Sequence, residues 1–139
     1  MRVVLDTNVL LSALLFGGMP RQLFHECIRG EPRLLTSDAL MTELTAVLNR
    51  PRFHLAGDAV RAIVGEVASV AQTVAATAAV TAIPEDPPDN AVLACAVDGK
   101  ADHVVSGDGH LLDLGVYHGI PILTVREYLE SVLGGSASP

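Results

Sequence analysis

The sequence predicts an open α/β sheet, mostly parallel and twisted, with helices on both faces; three observations carry the prediction. Strand-length apolar runs alternate along the chain with amphipathic helical stretches. The first run, Val3–Leu5, stops on Asp6 and is followed at once by a second apolar series, the pattern of a buried strand feeding a helix. Half of the residues are apolar, with no Trp, a composition that suits a parallel sheet covered by small-faced helices. The 139 residues are one domain's worth, enough to bury roughly 68–70% of the surface the unfolded chain would expose. A carboxylate at the end of a central parallel strand lies where open α/β sheets place their ligands, in the crevice beyond the strands' C-terminal edge.

Taken in order, Thr7–Phe16 has Val9, Leu10, Ala13, Leu14 and Phe16 at near-helical spacing, with Asp6 or Thr7 as its cap and Gly17-Gly18 as its end. Pro20 opens a second helix through Ile28, which Arg29-Gly30 close. Arg33–Thr36 reads as a strand. Ser37-Asp38 then cap a helix to about Asn49, with Leu40, Leu44, Val47 and Leu48 as its core stripe. Glu43 borders that stripe, and Ala39 and Val47, four positions away on either side, offer it no cation. After the break at Pro51, Asp58 is expected to cap a further helix through about Ala68. Val70–Ile83, rich in Ala, Thr and Val, fits neither a helix nor a strand cleanly.

The turn Pro84–Asn90 precedes a helix over Ala91–Val97, with Asp89 placed to cap it and Asp86 within the turn. Val104-Val105 is a strand that stops at Ser106, Gly107 and Asp108, repeating the opening device of an apolar strand that delivers an acid. A short helix around Leu111–Leu114, a last strand over Ile120–Val125 and a closing helix over Arg126–Leu133 complete a domain of residues 1–133. Residues 134–139, GGSASP, read as a mobile tail.

The net charge of −7 is uneven: residues 1–69 hold seven basic and seven acidic residues, residues 70–139 two basic and nine acidic. Such a chain is a poor general binder of nucleic acid, whose sequence-independent affinity comes from Lys and Arg displacing counterions. A polyanionic ligand therefore needs the carboxylates offset, which a divalent cation does directly. Cys27 and Cys95 show no metal or redox spacing and read as buried thiols. The five histidines, His25, His54, His103, His110 and His118, lack ligand spacing and read as structural or surface residues; His110 alone is set apart, by its place beside Asp108. The start MRVVLD has no signal-peptide core, and no run approaches the roughly eighteen apolar residues of a membrane span, so a cytoplasmic location is expected.

Four acids stand at positions that a parallel sheet brings together: Asp6 after the first strand, Glu43 in the helix after the second, Asp89 before the third and Asp108 after it. Each has a plainer reading as a cap, turn or helix-edge residue. Crowded carboxylates repel, however, and some must protonate or bind a metal. Hard oxygen donors with no thiolate and no histidine set point to Mg²⁺ or Mn²⁺, ahead of Ca²⁺ for a catalytic role, and such a cation can activate water and stabilise the charge developing on a phosphodiester.

At these residues the chain resembles the PIN-domain nucleases, in particular the toxin members of bacterial toxin–antitoxin pairs. The resemblance rests on VVLDTNVLLSALL, SDALMTELTAVLNRPRF, DPPDNAVLACAVDGKADHVVSGDGHLL and GIPILTVREYLE, in that order and spacing. It implies a three-layer α/β domain and a metal-dependent endoribonuclease that cleaves single-stranded RNA, with an inhibitory antitoxin as partner and a homodimer or higher assembly. It also implies that Asp6, Glu43, Asp89 and Asp108 form a catalytic and metal-binding quartet holding Mg²⁺ or Mn²⁺. Asn8 and Ser106 match its supporting polar residues, and Asp86 is a further acid of the same piece. Arg21, Arg29, Arg33, Arg50 and Arg52 are the cations available to track an RNA backbone, with Arg29 and Arg50 equally suited to helix ends.

Rival readings fit less well. A phosphoacceptor receiver domain needs adjacent acids after the first strand and a lysine after the last, and a haloacid-dehalogenase-like phosphatase needs an acid where Asn8 stands. A catalytically silent module of the same fold, binding RNA or protein, is the alternative that the sequence leaves open.

Overall fold

The computed structural model describes residues 1–77 and 87–134, with the backbone alone for residues 87 and 88. In chain order the elements are β1 (Arg2–Leu5), α1 (Thr7–Leu15), α2 (Gly18–Ile28), β2 (Arg33–Thr36), α3 (Asp38–Leu48), α4 (Gly57–Val70), β3 (Gln72–Thr73), α5 (Pro87–Asp98), β4 (His103–Val105), α6 (Gly109–Leu114), β5 (Val116–Tyr117), β6 (Ile120–Leu123) and α7 (Val125–Tyr128). A 3₁₀ turn, Pro51–Phe53, joins α3 to α4, and a π-helical turn, Leu129–Leu133, extends α7. Among the described residues the sheet runs β3-β2-β1-β4-β6-β5. Every pairing is parallel except β5 with β6.

The layering follows from the two-residue period of a strand. Val3 and Leu5 point into one core and Val4 into the other; Leu34 and Leu35 divide in the same way, as do Val105 and Val104. The first core is filled by side chains of α1, α2, α4 and α7, among them Leu10, Leu23, Val67 and Tyr128. The second is filled by α5 and α6 through Leu93, Cys95, Ala96 and Leu111. Helix α3 lies at the seam, sending Leu44, Val47 and Leu48 to the first core and Leu40 to the second. The result is the expected three-layer α/β domain. Both cysteines are free and buried.

The chain winds from β1 outward to β2 and β3, then returns to lay β4 against the other edge of β1. The crevice at that reversal, between the C-terminal ends of β1 and β4, is where the functional acids were expected. Gly99, at the end of α5, lets this helix sit close to the sheet. A Cβ there would meet the Cys95 carbonyl oxygen at 2.8 Å, Leu35 Cδ1 at 2.8 Å and Val74 Cγ2 at 2.9 Å.

Several element boundaries differ from those the sequence predicts, each for a local reason. Helix α2 begins at Gly18, two residues before Pro20, since proline is tolerated in a first turn where its missing N–H has no helical partner. The same tolerance starts α5 at Pro87 instead of Ala91, which puts Asp89 in the first turn and not at the cap. Ala56 is the N-cap of α4; Asp58 lies in the first turn, where its charge complements the helix dipole and pairs with Arg61. Strand β6 stops at Leu123 because Thr124 caps α7 in a reciprocal capping box, Thr124 Oγ1 accepting from Glu127 N at 3.1 Å and Glu127 Oε1 from Thr124 N at 2.8 Å.

Strand β5 is not among the elements the sequence predicts. It turns into β6 through His118 and Gly119, both at positive φ (50° and 77°), and a histidine in that conformation gives no hairpin signal. Phe16, expected on the apolar face of α1, is 72% exposed at that helix's C-cap. Asp86, residues 78–83 of the ambiguous segment, and the tail from residue 135 lie outside the described residues; the described part of that segment carries the short strand β3. No described helix is long and apolar enough to cross a membrane.

Candidate metal centre

Asp6 follows β1 directly and is the N-cap of α1, with Oδ1 accepting from Val9 N at 2.8 Å. Its backbone N–H continues the sheet by donating to Val105 O at 3.1 Å. The carboxyl is therefore fixed by a strand and a helix at once, and it is 4% exposed. Oδ2 accepts a short hydrogen bond from the buried Ser106 hydroxyl, whose oxygen in turn accepts from Asp108 N at 2.9 Å. Ser106 thus clasps the end of β1 to the end of β4. Burial pushes the Asp6 carboxyl above its ordinary 3.8; the Ser106 and Val9 hydrogen bonds act against that shift, and the charge of Asp108 adds to it.

Asp108 caps α6, its Oδ1 accepting from His110 N at 2.8 Å and Leu111 N at 3.3 Å. Burial acts to raise its carboxyl, but a side-chain hydrogen bond with Asp89 and the two backbone N–H groups outweigh it and hold Asp108 below 3.8. Asp89 and Asp108 present ligand atoms within 4.8 Å of one another, so the fold brings two carboxyls together against the mutual repulsion of their charged forms. Asp89, in the first turn of α5, is buried.

Glu43, in the second turn of α3, is half-buried beside the core residues Leu44 and Val47. It completes the lining of a cavity of about 200 Å³ to which Asp6, Asn8, Glu43, Asp89 and Asp108 all contribute. The acids come from four separate segments, and the cavity sits at the reversal of strand order.

The predicted cations divide. Arg50, exposed just beyond the end of α3, lines the same cavity. Arg21 instead closes the end of α1, its Nε donating to Ala13 O at 3.0 Å and its Nη2 to Leu14 O at 3.1 Å. Arg52 stacks over Phe53, 4.8 Å from the ring centroid. Arg29 pairs with Glu26 at 3.8 Å, and Arg33 lies exposed at the opposite, N-terminal end of β2.

One residue that the sequence places among structural or surface histidines belongs with the acids. Ligand atoms of Asp89, Asp108 and His110 all lie within 4.8 Å of one another. The signal was the spacing Asp-Gly-His: with Asp108 as the cap, His110 falls in the first turn of α6, and its ring stands beside the acid that starts the helix.

These donors fit a divalent cation. Carboxylate oxygens converge on one cavity, those of Asp89 and Asp108 within 4.8 Å of one another, and hard oxygen donors of this kind suit Mg²⁺ or Mn²⁺. The acidic cluster can therefore bind metal. No curated protein matches the chain. The PIN domain profile matches residues 2–110, from the first residue of β1 to His110, taking in all four acids. PIN domains are generally metal-dependent nucleases that use Mg²⁺ or Mn²⁺. On that match, the chain belongs to the PIN-domain family.

Proposed function

We propose that the protein is a Mg²⁺- or Mn²⁺-dependent endoribonuclease that hydrolyses phosphodiesters of single-stranded RNA, and that it is the toxin of a toxin–antitoxin pair. The observation that carries the nuclease reading is the convergence of Asp6, Glu43, Asp89 and Asp108 on one cavity that also presents Arg50. Asp6, Glu43, Asp89 and Asp108, which all line the cavity, would hold the cation. The bound cation supplies an activated water and a countercharge for the oxygens of the scissile phosphate.

The chain's own residues do the remaining work. Val9 N and Ser106 fix the two oxygens of Asp6, and His110 N and Leu111 N fix Asp108, so neither carboxylate must reorganise when a ligand arrives. Arg50 offers the cavity a positive charge for a phosphate oxygen, and Asn8 a neutral donor and acceptor. Arg21 and Arg52, which are not among the residues lining this cavity, would contribute to grip on the RNA backbone. Asp86, outside the described residues, is proposed from its place in the sequence alone as a further supporting acid. Phe16 and Ile28, 72% and 51% exposed, and Met19, 36% exposed, leave apolar surface around α1 and α2 that supports a protein partner, either the antitoxin or a second copy of the chain.

The test is cleavage of a panel of structured and unstructured RNAs by the purified protein with Mn²⁺, with chelator, and by Asp6→Asn. Cleavage that requires both the metal and Asp6 is the expected result. Metal binding with no cleavage of any RNA on the panel would favour a catalytically silent binding module.

A further inference from the structure

We infer that His110 is a nitrogen ligand of the metal held by this site, and that it biases the centre toward Mn²⁺ and away from Mg²⁺; the inference rests on the metal-dependent reading given above. Asp89, Asp108 and His110 each present one donor atom, and the three lie within 4.8 Å of one another. A first-row cation with bonds of about 2.1 Å holds its donors no more than about 4.2 Å apart. The three atoms therefore need to close by only some tenths of an ångström at the widest pair. His110 is exposed and sits in the first turn of α6, so its ring has room to make that adjustment against the carboxylates behind it.

The backbone explains why the ring is delivered there. The N–H of His110 donates to Asp108 Oδ1 at 2.8 Å, which pins the start of α6 to the acid it caps. The same contact keeps the imidazole beside that acid and facing Asp89 of α5. One residue thus serves the cluster twice, with its backbone toward one carboxylate oxygen and its ring toward the cation.

The chemical consequence is selectivity. An all-oxygen site suits Mg²⁺, which takes oxygen ligands and keeps several of its waters. An imidazole nitrogen in the set raises affinity for later divalent ions in the order Mn²⁺, Co²⁺, Ni²⁺, and does little for Mg²⁺. One imidazole added to the carboxylates therefore makes a centre that prefers Mn²⁺ in competition with Mg²⁺.

The experiment is Mn²⁺ binding to the metal-free full chain, followed by electron paramagnetic resonance with electron spin-echo envelope modulation. Wild type is expected to show ¹⁴N modulation from a directly bound nitrogen, replaced by the ¹⁵N pattern in uniformly ¹⁵N-labelled protein. His110→Ala is expected to lose that modulation and to bind Mn²⁺ roughly tenfold more weakly or worse, with Mg²⁺ affinity, measured by competition, changed less than about threefold. Circular dichroism of the variant establishes that it is folded. Mn²⁺ bound without nitrogen modulation overturns the inference and leaves the carboxylate site standing. Equal losses of Mg²⁺ and Mn²⁺ affinity in His110→Ala also overturn it, because they mark a role in local structure or charge. No Mn²⁺ binding by folded wild type, with Asp89→Asn indistinguishable from it, defeats this inference and the metal-dependent reading together.

Discussion

Ser106→Ala removes the one hydroxyl that ties the end of β1 to the end of β4, and its cost can be worked from the contacts. The hydroxyl donates to Asp6 Oδ2 and accepts from Asp108 N at 2.9 Å, and the residue is fully buried. Losing a hydrogen bond to an ionised carboxylate costs about 1.5–3 kcal/mol, and stranding the half-buried Asp108 N–H up to about 1–3 kcal/mol. Water entering from the adjacent cavity recovers part of this, so a net loss of about 2–4 kcal/mol is expected. With a urea m-value of about 1–3 kcal/mol per molar, the denaturation midpoint falls by roughly 1–2 M with m unchanged. The Asp6 carboxyl, which the Ser106 bond holds down against burial, titrates higher still in the variant. A double-mutant cycle with Asp6→Asn isolates the pair, and the cycle should show a coupling of about 1–2 kcal/mol. If Ser106→Ala costs less than about 0.5 kcal/mol and adds independently to Asp6→Asn, the clasp is not what holds the two strand ends together.

Other consequences are open to equally direct measurement. In metal-free protein the raised Asp6 carboxyl favours the folded state most below pH 3.8, and that contribution is lost as pH rises through the folded value. Urea melts of wild type and Asp6→Asn in chelator should therefore diverge in favour of the asparagine variant as pH rises toward neutrality; parallel profiles would contradict the shift. Gly99→Ala should cost about 1–3 kcal/mol of stability by thermal or urea melting, since backbone and two core side chains occupy the space its Cβ needs, and a neutral result would mean that α5 moves without penalty. Cys27 and Cys95 are buried, with thiols pushed up by burial to about 12; a thiol reagent should label neither in native protein and both in denaturant, and rapid native labelling would contradict their packing.

The layers were legible because each strand core is a short apolar run whose alternate residues serve different faces. Val3, Val4 and Leu5 announced a strand buried on both sides, and Leu40, Leu44, Val47 and Leu48 marked the inner face of α3. Asp6 was legible as a cap because its first-turn partner, Val9, lies three residues on. The starts of α2 and α5 were hidden by prolines, which disfavour a helix interior yet fit a first turn. The β5–β6 hairpin was hidden by a histidine at positive φ, where the sequence shows no turn residue of the usual kind before Gly119. His110 was missed for a different reason: its neighbour Asp89 is 21 residues away in sequence, and only the return of β4 to the edge of β1 makes them neighbours. Arg50, just beyond the end of α3, lines the acidic cavity, and Arg21 and Arg52 are not among its lining residues.

The reversal of strand order also sets when the centre can exist during the life of the chain. Synthesis proceeds from the N-terminus, and β1, α1, α2, β2 and α3 carry only Asp6 and Glu43. Asp89, Ser106, Asp108 and His110 belong to the later wing, which must come back across the sheet to the open edge of β1. A nascent chain on the ribosome, surrounded by RNA, therefore holds an unfinished set of ligands until its second half has emerged and docked. The order of winding works as a timer: the acidic cluster closes only after the body that carries it has been completed.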